Sequence, residues 1–371
     1  MRPPITRLLA LGSWLLGRGP KSQQLRAKSF AALAALLALG ASAQQLQETI
    51  TVERILIDAR VTDGTGEPIL NLGPADFRVK VDGKLATVES VEWIPETASA
   101  REIADIDKPV VEPNLTMDIP APRGRLLVFF FQTDFAREPS RVPGQQRMIH
   151  FSDQMLDDFE PDDRVAVFSF DSHLKFRSDF TDDKGRLKNT FRDSLLTSEP
   201  VDVPPTVPMP SLARYLRADE MKRAASAETG LLVVANALRN IPGPKSLILI
   251  GYGLGRFTSS GVVLGKDYLV ARRALEQARV SVFSLDISNA DYHSLEVGLG
   301  AVSADTGGFY AKTHMFPQLA VDRLQRTLSG HYELEVRKPD SSIVGLHTIE
   351  VDVPRRGAHV MARTSYLDRV D

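Results

Sequence analysis

The chain runs to 371 residues, enough for two or three compact domains, and its 43% hydrophobic and 25% charged residues exclude a fibre, a disordered chain or a multi-span membrane protein. It contains no cysteine, which excludes disulfides, thiolate metal sites, cysteine nucleophiles and a lipid anchor on cysteine. The net charge is −2, but six basic and no acidic residues precede position 44, so the remainder carries about −8; with no basic stripe either, nucleic acid is excluded as a partner.

The first 43 residues read as a secretory signal. Arg2, Arg7, Arg18, Lys21, Arg26 and Lys28 lead into a continuous apolar run from Phe30 to Leu39, and Ala41-Ser42-Ala43 supplies the small-residue ending. The run falls short of the roughly 20 residues that a spanning helix needs. The mature chain is expected to start at or near Gln44, outside the cytoplasm, in the periplasm or beyond. A membrane association is expected only if this segment stays uncut.

Residues 44–97 read as a small β module. Thr51 to Val61 is a strand, and Asp63-Gly64-Thr65-Gly66 turns the chain. Phe77 to Val81 alternates apolar and polar residues, Asp82-Gly83 marks a hairpin turn, and Ala86 to Trp93 alternates again. About 50 residues are too few for comfortable independent stability. Residues 98–122, with Pro109, Pro113, Pro120 and Pro122, read as a linker.

Residues 123–330 change period. Leu126 to Phe131 (LLVFFF) has the continuous apolar character of a parallel strand buried on both faces. A helix over 145–159, a strand over 165–170, a short extended piece over 174–176 and a helix over 183–195 follow. After a proline loop from Val201 to Pro210 come a helix over 229–239, a strand over 246–250, a helix over 266–279, a strand over 280–285 and a helix over 317–328. Alternating strands and helices of these lengths predict a doubly wound, mostly parallel α/β sheet. Residues 331–371 return to β, with strands expected over 331–337, 346–353 and 359–364. The front and back β segments, each small alone, are expected to pair into one shared sandwich with the α/β domain inserted between them.

This order of parts resembles a von Willebrand factor A-type domain. The resemblance rests on a buried strand ending in a polar loop, a Thr-Gly at a helix start, and an apolar strand ending in Gly251-Tyr252-Gly253. Leu299 to Tyr310 (LGAVSADTGGFY) resembles the family's late Thr-Gly-Gly-aromatic segment. The flanks, from Val61-Thr62-Asp63 to Asp82-Gly83 and from Tyr332-Glu333-Leu334 to Gly357, resemble a related branch known mainly from acidobacterial genomes.

The resemblance implies a metal-ion-dependent adhesion site: Asp-x-Ser-x-Ser after the first strand, a Thr from a second loop and an Asp from a third, holding Mg²⁺ through hard oxygen ligands. Laid on this chain, the first Asp falls on Gln132, the serines on Asp134 and Ala136, the Thr on Thr229 and the last Asp on Tyr252. Only Thr229 matches. Shifting the register to Asp134 gives Asp134-Phe135-Ala136-Arg137-Glu138, which has no hydroxyl. The site therefore reads as degenerate, with no cofactor expected and Gln132, Asp134, Phe135, Thr229 and Tyr252 forming a binding rim for another protein. A rearranged Mg²⁺ site would draw on Asp134, Thr229 and Asp286, with Glu228 nearby. The plainer alternative makes Asp134 a loop residue and Thr229 a helix cap.

Catalysis has no anchor in the sequence. Gly251-Tyr252-Gly253-Leu254-Gly255 lacks the G-x-G-x-x-G spacing of a dinucleotide loop. No serine sits in G-x-S-x-G, and the seven histidines never form H-x-H or H-x-x-x-H. The expectation is a non-catalytic, exported interaction module, with a metal-dependent adhesion protein or a hydrolytic enzyme as alternatives.

Overall fold

The computed structural model describes residues 54–105, 124–133, 141–194, 210–339 and 345–368. The expected leader, residues 106–122 of the linker, the proline loop up to residue 209, and Asp134 and Phe135 lie outside the described residues. Among the described residues no helix is long and apolar enough to cross a membrane.

The front segment forms strands β1 (Arg54–Thr62), β2 (Arg78–Val81) and β3 (Lys84–Pro95). Between β2 and β3, Asp82 and Gly83 both take positive φ, 49° and 75°, as a two-residue hairpin requires. A short helix, α1 (Ala98–Asp105), then occupies the start of the stretch expected to be linker. The prolines that argued against structure all lie further on, and the alanine-rich sequence of α1 contains none.

The α/β region runs β4 (Leu126–Gln132), α2 (Val142–Asp157), β5 (Arg164–Phe170), β6 (Leu174–Thr181), α3 (Lys184–Asp193), α4 (Ala218–Arg223) and α5 (Ala227–Leu238). It continues through β7 (Lys245–Gly251), a hairpin of β8 (Arg256–Thr258) and β9 (Gly261–Val263), α6 (Lys266–Gln277), β10 (Val280–Asp286), α7 (Glu296–Thr306), β11 (Tyr310–Lys312) and α8 (Pro317–Thr327). The six-stranded sheet has the order β11-β10-β7-β4-β5-β6, parallel except for the edge strand β6. Every residue of β4 is buried. Its side chains alternate between two cores: Val128 and Phe130 meet α5, α6 and α7, while Leu127, Phe129 and Phe131 meet α2, α3 and α8. Each buried phenylalanine stabilises the sheet by about 2–3 kcal/mol.

The back segment forms β12 (Gly330–Arg337), β13 (Leu346–Asp352), β14 (His359–Ala362) and β15 (Ser365–Leu367). Front and back strands interleave in one antiparallel array, β14-β1-β12-β3-β2-β13-β15. The expected pairing of the two segments takes this form, rather than two separately paired sheets of a sandwich. The long strand β3 joins the halves, pairing through its start with β2 and through its remainder with β12. Only Arg363 and Thr364 separate β14 from β15, and Ile349 N–H in β13 donates to the Thr364 carbonyl at 2.7 Å. The array therefore curls until its ends meet, around Ile57, Val61, Val79, Tyr332, Leu334 and Ile349.

The α/β region leaves this array at Pro95 and returns at Gly330, which are paired residues. Polar side chains on the outer face of β1 meet the amino edge of the parallel sheet. Arg279 Nε donates to Asp58 Oδ2 at 2.9 Å, and its Nη2 donates to Glu333 Oε2 at 2.7 Å. Buried Arg60 reaches Ser281 Oγ at 3.2 Å and Ser246 Oγ at 3.3 Å.

Candidate functional site

In an open parallel sheet, ligands collect beyond the carboxyl ends of the strands, where the strand order reverses. Here that crevice lies between β4 and β7, because β5 follows β4 on one side and β7 lies on the other. Gln132 ends β4 and is buried. Its Nε2 donates to the Gly253 carbonyl at 3.0 Å, and its Oε1 accepts from the N–H groups of Tyr252 at 3.0 Å and Gly253 at 3.3 Å. A single side-chain amide thus closes the crevice, turning both ends of its dipole onto backbone groups beyond β7.

Thr229 stands in the first turn of α5, where Ser226 is the N-cap. Thr229 N–H donates to Ser226 Oγ at 3.2 Å, Ser226 N–H donates to Thr229 Oγ1 at 3.0 Å, and Thr229 Oγ1 lies 2.8 Å from the Ser226 carbonyl. Glu228 accepts from Gly255 N–H at 2.5 Å, tying α5 to the loop after β7. The Arg141 guanidinium lies over the Tyr252 ring, 3.4 Å from its centre. A Mg²⁺ ion in this crevice would need charged oxygen ligands. Gln132 and Tyr252 provide none, and the Gln132 and Thr229 oxygens are engaged within the protein. The Gln132, Tyr252 and Thr229 side chains do not fit the ion.

The Asp286 carboxylate of the expected rearranged site is engaged by residues other than Thr229 and Glu228. It ends β10, buried, and accepts from Ser288 N–H at 2.9 Å. Its other oxygen lies 2.6 Å from His293 Nε2 and 2.7 Å from the Tyr310 hydroxyl. The same hydroxyl lies 3.3 Å from Glu296 Oε2, which in turn lies 2.8 Å from Lys312 Nζ. Burial works against the Glu296 charge, yet Lys312 and the His293 backbone N–H hold its carboxyl below the usual range. Burial and the Asp286 carboxylate push the Tyr310 phenol far above its ordinary range.

His293, Glu296, Tyr310 and Lys312 were not among the residues expected from sequence. A signal existed in His293-Ser294-Leu295-Glu296, a histidine and a glutamate three apart at a helix start. Histidine-to-histidine spacing alone misses it.

The same edge carries exposed apolar side chains. Tyr292 and Val297 follow β10, while Met315, Phe316 and Leu319 follow the adjacent strand β11, each more than half exposed. Phe257, in the hairpin after β7, is 65% exposed. Single exposed apolar residues are common, but loops after three neighbouring strands all present them here.

No family model matches the chain, and no curated protein matches it. Solved structures match loosely. A von Willebrand factor type A protein from Catenulispora acidiphila aligns at 10% identity and a TM-score of 0.38, over 79% of this chain and 72% of that one. The human COPII-coat protein Sec24c aligns at 10% identity and 0.37, over 67% and 44%. Proximal thread matrix protein 1 from the mussel byssus, with a zinc-occupied MIDAS motif, aligns at 13% identity and 0.35, over 58% and 48%. The chain thus spans less than half the length of the last two, and its fold rests on the strand order above.

Proposed function

We propose that this chain is an exported, non-catalytic module of the von Willebrand factor A type that docks another protein without Mg²⁺, through the carboxyl edge of its parallel sheet. The observation that carries the reading is Gln132, whose amide fills the crevice where an ion-coordinating carboxylate would stand. The exposed side chains of Tyr292, Val297, Met315, Phe316 and Leu319 supply an apolar contact surface beside it. Arg141 stacked on Tyr252 adds an aromatic–cation pair of the kind enriched where proteins bind one another. Export is supported by the basic lead and apolar run before Gln44.

The test places a photo-crosslinking residue at Phe316 and, as a control, at Leu85 in the distant β2–β3 hairpin, in cells making the native protein. A discrete crosslinked protein is expected at Phe316 only. It should persist when Mg²⁺ is chelated and be lost in a Met315→Asp, Leu319→Asp variant. Equal crosslinking at both positions, or loss on Mg²⁺ removal, would sink the reading. Turnover of ester or peptide substrates by the purified protein would favour the hydrolytic alternative.

A further inference from the structure

Among the described residues, two clusters bring three histidine or carboxylate side chains within 4.8 Å of one another. Their surroundings differ. Asp58, His331 and Glu333 already hold a built-in cation, because Arg279 donates to both carboxylates across the contact between the curled array and the parallel sheet. Among the described residues, no arginine is bonded to Asp286, His293 or Glu296, and the cationic side chain paired with them is the Lys312 ammonium, a compact charge on a flexible stem with 36% of its side chain exposed. It touches Glu296 and the Asp291 carbonyl and makes no hydrogen bond to Asp286.

We propose that Asp286, His293 and Glu296 bind one zinc-class dication, with Lys312 as the cation that the metal displaces. One imidazole nitrogen and two carboxylates make a mixed donor set that suits zinc better than the all-oxygen preference of Mg²⁺ or Ca²⁺. Three protein donors leave a fourth tetrahedral position for water or a partner's side chain. Two carboxylates balance the dication's charge once Lys312 swings away. The donors need little movement: two ligands about 2.0–2.1 Å from a tetrahedral zinc stand about 3.3 Å apart, against 2.6 Å between His293 Nε2 and Asp286 Oδ2. The supporting shell is already in place. Ser288 N–H and the Tyr310 hydroxyl hold the Asp286 carboxylate, and the same hydroxyl reaches Glu296. The donors come from the rigid end of β10, the loop behind it and the first turn of α7, and none overlaps the crevice that Gln132 closes.

The full chain, stripped of metal by a chelator and moved into chelator-free buffer, is titrated with Zn²⁺ by calorimetry. One saturable site in the micromolar range is expected. His293→Ala and Glu296→Gln should each weaken it by about tenfold or more, the scale of losing even a supporting residue. Lys312→Gln should strengthen it by removing the competitor, a gain that misfolding would not produce. Leu85→Ala, at an exposed position of β3, should leave it unchanged. No saturable site in either the parent or Lys312→Gln, or a site undiminished in His293→Ala, overturns the proposal. Because no partner is present in the titration, its failure leaves the docking reading untouched.

Discussion

At the scale of single residues, Gln132 shows how a polar side chain can be committed to structure at the place where a ligand would sit. Its amide has one donor contact and two acceptor contacts, all to backbone groups of residues 252 and 253. An aspartate there would be shorter and could not donate, leaving the Gly253 carbonyl without its partner. Gln132→Asp is therefore expected to destabilise the fold by about 1–3 kcal/mol, the usual result of stranding a buried polar group. The change would be read as a lower urea midpoint at an unchanged slope, and an equal or higher midpoint would contradict the bridging role. The sequence shows that Gln132 is no carboxylate, but not what its amide does, because its partners lie about 120 residues away. Thr229 reads from sequence as the helix cap, but the cap is Ser226 three residues before it, and Thr229 closes the capping box from inside the first turn.

At the scale of elements, legibility followed the strength of the local pattern. The apolar run in β4 and the Asp82-Gly83 turn each have one physical solution, and the structure adopts it. Helix α7 was not visible as a helix, since two glycines interrupt it and its apolar residues form no stripe. Gly298 is there for packing: a Cβ would stand 2.4 Å from the Leu254 carbonyl oxygen, so the helix approaches the loop after β7 too closely for any side chain. The β8–β9 hairpin turns on Ser259-Ser260, which carries no strong turn signal.

The final strands are held by His347, fully buried in β13. Its Nδ1 lies 2.7 Å from Asp82 in the β2–β3 turn, and its Nε2 lies 2.8 Å from Asp368 just beyond β15. Burial alone would lower its proton affinity, but the two carboxylates overcome this and raise it above the ordinary value of 6.5. The His347 contribution to stability is therefore complete below about pH 6.5 and is lost as pH climbs through the raised folded value. Asp82 and Asp368, both held below their ordinary range, contribute above about pH 4 and lose that contribution in acid. The melting temperature of the parent should thus fall between pH 6.5 and 9 more steeply than that of His347→Gln. Parallel profiles for the two proteins would rule the clip out.

At the scale of the whole molecule, the curled array and the α/β region depend on each other. The pairing of Pro95 with Gly330 lets the inserted region leave and return at one point without breaking the array. Arg279, at the turn into β10, meets Asp58 of β1 and Glu333 of β12 together, so the contact reads the front and back segments at once. Separate modules on a string would have no such shared side chain. In chain order the last β segment looks dispensable, yet β12 lies in the interior of the array, hydrogen-bonded to β1 on one side and β3 on the other. Removing residues 331–371 would strip both neighbours of their partner and open the core at Ile57, Val79 and Ala86. It would also leave Arg279 with Asp58 alone. Since a domain's whole margin is about 5–15 kcal/mol, loss of four of seven strands should exceed it for the front segment. The truncated protein is expected to lose its cooperative thermal transition, with β1, β2 and β3 open to hydrogen exchange and proteolysis. If it melts at the full chain's midpoint with the same cooperativity, the front strands do not rely on the back ones, and the shared array is wrong.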